Sequence, residues 1–437
     1  MITRVSLKNF KLHASTEIEA APITVFIGPN NSGKSSIFQA LLSLRQAASH
    51  GWATLYDPNR YRDPSSLIVD VGDFEDALRS GEREIEVGVM GNLPPSWWTH
   101  EKLQVSFRIH VRENRLVYHC GQLEGFIRAI NMPASMRDLT VRWDWEWFPS
   151  SPAGPYVLEF EGAKLCFFPE HHFRLIRYGG FTEQPPPPEK LTDLQALGQD
   201  LGNAPMKLLD SIHPVFPLRG FEEWGYPLPD ERAANLDRLS LPDRAVALAS
   251  LLAYDRDLER KLSEWLHGLL GISVEVKLLP PKRVTIRCKP SFTRDSDSLF
   301  LNEGTGANQL PFILIPIGLA PEHETILLCE PEAHLHPKAQ TELIRLLLKV
   351  AVDRKLQYFI ETHSEHVLHS LLHAVAKGDL EREQLAIYHF ENVNGEAKVT
   401  PLELDETGGV VGGLPGFFEQ SLAELVEFLD ALKTRNP

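Results

Sequence analysis

The segment at 23–36, ITVFIGPNNSGKSS, constrains this chain more than any other. Its first five residues form an uncharged, β-branched-rich run of the kind buried on both faces of a parallel sheet. Directly after it, Gly28, Gly33, Lys34 and Ser35 fall in the spacing GxxxxGK[ST], and Ile37, Ala40, Leu41 and Leu44 then recur at helical intervals. Strand, glycine loop and helix in that order make an anion cradle. The glycines let backbone N–H groups close around phosphate oxygens, and the helix start adds its partial positive charge. The candidate phosphate contacts are Asn30, Asn31, Ser32, Gly33, Lys34, Ser35 and Ser36. Lys34 is suited to neutralise β- and γ-phosphates, and the Ser35 hydroxyl to ligate Mg2+.

A second buried run, TILLC at 325–329, stops at Glu330 and Glu332 with Pro331 between them. At the carboxyl end of a parallel strand such acids face the ligand crevice. The same strand-then-polar pattern returns in YFIETHSEH at 358–366, where Thr362 and Glu365 read as a capping box and His363 is placed to reach a γ-phosphate or an attacking water. Glu330 and His363 are the candidate catalytic residues, and Glu330 with Ser35 the candidate metal ligands. Cys329 stands just before the acid. A neutral thiol suits Mg2+ poorly, since that ion takes hard oxygens and accepts water where a ligand is missing, so triphosphate binding with slow turnover is expected. Upstream, LNEGTG at 301–306 makes Asn302, Gly304 and Thr305 a second anion-binding turn ahead of an apolar helix or strand. Two anion-binding features share one lysine loop, which a second copy acting in trans would resolve. His366, His369 and His373 share a helix face, but no cysteine or acid completes a metal shell with them.

The 437 residues suit two or three domains, or one large domain with an insertion. A hydrophobic content of 43% with 24% charged residues is that of a globular protein, and the net charge of −15 opposes indiscriminate adhesion to nucleic acid or anionic lipid. Cys120, Cys166, Cys288 and Cys329 are scattered, which excludes a CxxC metal or redox motif. No signal peptide and no apolar stretch of the ~20 residues needed to span a bilayer is present, so a soluble, cytoplasmic protein without a membrane partner is expected. The fold class read from these patterns is α/β. An N-terminal lobe, 1–90, carries two strands, ITRVSLKNF and ITVFIG, and the loop. An insertion, 91–295, comprises an antiparallel β region to about 178, a proline spacer at 179–190, a helical region at 191–270 and two strands up to 295. A C-terminal lobe, 296–437, alternates helix and strand. Trp143, Trp145 and Trp147 alternate with charged residues and read as one face of a sheet core. There is no internal repeat and no sustained heptad.

In combination, NFK at 9–11, GPNNSGKSS at 28–36, PLR at 217–219, LNEGTG, EPEAHLHP at 330–337 and ETHSEH at 361–366 resemble the ABC-type ATPase heads of SMC, RecF and OLD proteins. The chain looks closest to compact, armless AAA ATPases of the OLD-like group found in bacterial anti-phage defence. The tail LPGFFEQ at 414–420 is similar to the C-terminal extension of one subgroup. The resemblance spans both ends of the chain and little of the middle. It implies a P-loop NTPase fold of the ABC/SMC head type with a β-rich and helical insertion, cofactors ATP and Mg2+, and a homodimer that sandwiches two ATP molecules, with higher oligomers and nucleic acid as further partners. By position, Glu330 matches the catalytic glutamate, His363 the switch histidine and 302–305 the signature. Asn302 stands at the signature serine, and Cys329 at the acidic Mg2+ ligand. Arg219 matches a recurring Pro-Leu-Arg without an assigned role. The segment after His363 is too short for the nuclease domain of larger OLD proteins, so an effector would be a separate chain. The alternative is a DNA-repair or chromosome-handling ATPase that binds DNA directly. A transporter subunit is disfavoured by the absence of coupling-loop signatures and by the β-rich insertion.

Overall fold

A computed structural model describes residues 1–50, 69–92, 207–230, 241–290 and 297–413, apart from positions 73, 83, 218 and 406, together with the backbone of short strands between 104 and 181. Its centre is a six-stranded sheet. The strands are β3 (Ile23–Ile27), β5 (Ile212–Val215), β8 (Thr325–Cys329), β9 (Gln357–Glu361), β10 (Leu385–Val393) and β11 (Glu396–Leu402), in the order β5-β8-β9-β3-β10-β11. All neighbours run parallel except β11, which returns antiparallel beside β10. Every residue of β3 and β9 is buried, as apolar strands flanked on both faces must be. Helix α1 (Lys34–His50) leaves from β3, α5 (Pro337–Arg354) links β8 to β9, and α6 (Glu365–Lys377) links β9 to β10. The architecture is the P-loop α/β fold that the sequence patterns predicted.

Against this sheet lies an antiparallel one in which β1 (Ile2–Phe10) pairs with β2 (His13–Glu19) and with β4 (Glu84–Asn92). The same sheet continues through Gln104–Arg112, Arg115–Cys120 and Trp145–Trp147. A third unit comes from α2 (Leu241–Tyr254), α3 (Arg256–Leu270), β6 (Ile272–Leu279) and β7 (Arg283–Pro290). Asp255 caps the start of α3 by accepting from Leu258 N at 3.0 Å, and Gly271 ends the helix in the left-handed region. Leu258, Leu262 and Leu266, four residues apart, bury one face of α3. Its polar flank binds the strand directly, Ser263 Oγ accepting from Val274 N at 3.0 Å and Glu259 Oε1 from Val276 N at 2.7 Å. Helix α4 (Thr305–Leu319) is buried along most of its length and joins the same hydrophobic core. No helix among the described residues is long and apolar enough to cross a membrane.

Three local readings change. The first 27 residues hold three strands rather than two, because HASTEIE buries only His13, Thr16 and Ile18 and so carries a weak apolar signal. Residues 212–215 fall in the stretch read as helical but form β5, the edge strand of the central sheet. Pro214 disguises it, and an edge position tolerates the missing N–H. Ser364, not Thr362, caps α6, accepting from His366 N at 3.1 Å and Val367 N at 3.2 Å. The prolines at 185–188, Trp143 and the tail at 414–420 lie outside the described residues.

Candidate nucleotide site

The loop after β3 is built to leave no room for side chains at its first turn. Gly28 has φ +141°, and a Cβ there would stand 2.1 Å from the carbonyl oxygen of Phe390 on β10. Lys34 is 3% exposed and folds back into the loop, donating to Gly28 O at 3.0 Å, Pro29 O at 2.7 Å and Ser32 Oγ at 3.4 Å. Burial pulls its pKa down, while Glu361, Glu330 and Cys329 act against that pull. Beneath the loop, Phe26 packs edge-on against Phe359 and Phe390, and the fully buried His13 bonds Thr16 Oγ1 at 2.8 Å and Gly33 O at 3.0 Å. The loop therefore rests on β2, β9 and β10 together.

A cavity of about 410 Å³ opens over this loop, lined by Asn30, Asn31, Ser32, Gly33, Lys34, Ser35 and Ser36 and, facing them, by Glu330, Glu361 and His363. Lys11 and Gln39 close one side, joined by a 2.7 Å hydrogen bond. Glu330 Oε1 and His363 Nε2 are 3.6 Å apart, each side chain still partly exposed. Burial first, then Lys34, lowers the His363 pKa, which favours the neutral imidazole. Glu330 itself takes φ +44°, an unfavourable backbone conformation for a non-glycine residue. It is held there by its N–H donating to Glu361 O at 2.8 Å and by Arg219.

Arg219 accounts for the Pro-Leu-Arg element. Its guanidinium donates to Phe216 O at 2.6 Å, Cys329 O at 2.9 Å, Glu330 O at 2.6 Å and Gln309 Oε1 at 3.1 Å. Gln309, on α4, donates in turn to Ala333 O. One planar cation thus ties the end of β8, the turn after it and the start of α4 into a unit. Burial lowers the Arg219 pKa to about 10, and the group stays charged at neutral pH. Glu332 points away from the cavity. It is buried and accepts from Thr362 Oγ1 at 2.5 Å and His363 N at 3.1 Å, fixing the segment that carries His363.

The 302–305 turn lies elsewhere. Asn302, Gly304 and Thr305 are exposed and are absent from the cavity lining, with open space around Gly304. Gly306 packs against the turn after β8, where a Cβ would stand 2.4 Å from His334 O. His366, His369 and His373 are exposed along α6, and among the described residues no group of three or more His, Cys, Asp or Glu could hold a metal ion.

Sequence reading missed Glu361, which accepts from Ser35 Oγ at 2.6 Å and lies 3.4 Å from Cys329 Sγ. The signal was present: an acid closes the apolar run QYFIE as Glu330 follows the run TILLC.

Everything converging on this cavity stands at the carboxyl ends of parallel strands, where P-loop nucleotide hydrolases keep their chemistry. Residues 1–87 and 253–368, a little under half of the chain, match the AAA ATPase domain family. Among solved structures, the chain is similar to an SmcHead bound to the C-winged helix domain of ScpA, with 15% identity, coverage of 93% of this chain and 98% of that one, and a TM-score of 0.47. It is also similar to an Smc head with an extended coiled coil from Pyrococcus furiosus, bound to the C-terminal domain of ScpA, at 14% identity, 99% coverage of both chains and a TM-score of 0.45. For the SMC head domain from Thermotoga maritima the values are 12% identity, 92% and 99% coverage, and 0.39. No curated protein matches the chain.

Proposed function

We propose that this chain binds and hydrolyses ATP with Mg2+ as a dimerising switch in the cytoplasm, and that it serves as the sensor or regulatory ATPase of an anti-phage defence system whose effector is a separate protein. The observation that carries the switch is the split of the anion-binding features. The Lys34 loop, Glu330 and His363 share one cavity, while the helix start at 302–305 is exposed outside it. A helix N-terminus open to solvent is suited to a partner's γ-phosphate.

The residues present fit the nucleotide and its metal. The loop excludes Cβ atoms at Gly28, its amine is folded onto loop carbonyls, and its Ser35 hydroxyl bonds the Glu361 carboxylate. Bound Mg2+ would supply charge neutralisation at the β- and γ-phosphates. Lys34 would exchange its loop carbonyls for phosphate oxygens. Glu330 would take the proton of the attacking water, and neutral His363 would orient that water or donate to the γ-phosphate. A second copy's Asn302, Gly304 and Thr305 would close the site.

The reading is tested by mixing two inactive variants, Lys34→Ala and Gly304→Glu. A shared site regenerates one intact pocket per mixed dimer, so mixing should restore ATPase activity to roughly a quarter of wild type, half of the dimers being mixed and half of their sites intact. No recovery in a mixture shown to form mixed dimers would refute sharing.

A further inference from the structure

Position 329 is where a carboxylate would be expected to hold the nucleotide's cation, and it carries a thiol. In the parallel register of β8 and β9, Cys329 lies directly opposite Glu361, so the two strands end side by side at the same level of the sheet. The missing carboxylate therefore has a near neighbour. Glu361 is 2% exposed, and one of its oxygens lies 2.6 Å from Ser35 Oγ, the hydroxyl of the GK[ST] sequence. Two oxygens bound cis to an octahedral Mg2+ at ~2.1 Å stand ~3 Å apart, so this pair needs to open by only a few tenths of an ångström to ligate one ion. The second oxygen accepts the Cys329 S–H at 3.4 Å, which fixes the carboxylate plane. Lys34, the nearest cation, is committed to its own loop, and Glu361 forms no ion pair among the described residues. Among the described residues this buried carboxylate is bonded only by a hydroxyl and a thiol, with the Lys34 charge nearby but unpaired to it, and a divalent cation would compensate it more fully.

Glu330 has a different setting. Its side chain is 40% exposed, faces His363 and makes no bond to Ser35. That placement suits a base acting on water better than a ligand locked to the metal.

We propose that Glu361, on the strand next to Cys329, is the protein carboxylate that ligates the nucleotide-bound divalent cation together with Ser35, in place of the acid that position 329 lacks. The role has moved one strand across the sheet, and Glu330 is left free for water. This assignment rests on the reading of the cavity as a nucleoside triphosphate site.

The test separates metal from nucleotide. Binding of a fluorescent ATP analogue in EDTA reports the cavity alone, and titration of the ATPγS-loaded protein with Mn2+, followed by loss of the free-ion electron paramagnetic resonance signal, reports the metal. Glu361→Gln is expected to weaken Mn2+ binding at least tenfold with metal-free nucleotide binding within about twofold of wild type. Glu330→Gln should leave Mn2+ binding within about twofold, and Cys329→Asp added to Glu361→Gln should restore it. Unchanged Mn2+ affinity in Glu361→Gln would overturn the assignment. So would a tenfold loss in Glu330→Gln, whose partly exposed position keeps the test open if Glu361→Gln does not fold. Absence of nucleotide binding in the wild-type protein would instead remove the underlying reading, and the assignment with it.

Discussion

Arg219 shows how much one side chain can decide here. Its four hydrogen bonds hold the carbonyls of Phe216, Cys329 and Glu330 and the amide of Gln309, and they keep Glu330 at a positive φ that an unaided chain would leave. Lysine in its place would carry the charge without the planar fork, leaving buried carbonyls unpaired at ~1–3 kcal/mol each. Arg219→Lys should therefore lower the urea midpoint and also reduce kcat, with nucleotide affinity in EDTA near wild type, because the cradle at 28–36 does not touch this residue. A loss of stability with kcat intact would mean that Arg219 only braces the fold. The histidine at 363 belongs to the same picture. Its N–H donates to Glu332 at 3.1 Å, so a buried acid positions the residue that faces Glu330.

Among the elements, β2 does more than extend a sheet. His13 at its start is fully buried and hydrogen-bonds Gly33 O at 3.0 Å, placing a titratable ring under the phosphate loop. Desolvation lowers its pKa from the ordinary 6.5, and the bond to Gly33 opposes this only in part. The unfolded chain then binds the proton more readily than the folded one. Stability from this site is full above pH ~6.5 and is lost progressively as pH falls from that value through the lowered folded-state pKa. The urea midpoint of the wild-type protein should drop between pH 7 and pH 5. His13→Gln, which keeps a donor for Gly33 O, should show a smaller drop, and equal slopes would exclude His13 as the source. Helix α6 illustrates why local patterns mislead at boundaries. Thr362 is spent on Glu332 and on accepting from Ser364 N at 3.0 Å, so the cap moves to Ser364. The sequence offers two hydroxyls, and only the position of Glu332 selects between them.

At the scale of the whole molecule, the roles proposed for Glu330 as base and for the 302–305 turn as part of a neighbour's site predict an assembly controlled by hydrolysis. Glu330→Gln with ATP and Mg2+ should elute as a stable dimer in light-scattering chromatography, while the wild-type protein returns to monomer as ATP is consumed. A monomeric Glu330→Gln protein saturated with ATP would defeat the switch. The sequence by itself determined the P-loop class, the α/β alternation of the C-terminal lobe and the acid and histidine following two buried strands, because these depend on contiguous residue patterns set by strand and helix periods. Strand β5, the cap of α6, the anchoring by Arg219 and the meeting of Ser35, Cys329 and Glu361 were decided only by tertiary structure. Each depends on contacts between segments far apart in the chain. The pairing that sets Cys329 beside Glu361 is fixed by hydrogen bonds across the sheet, and no local window of sequence contains both residues.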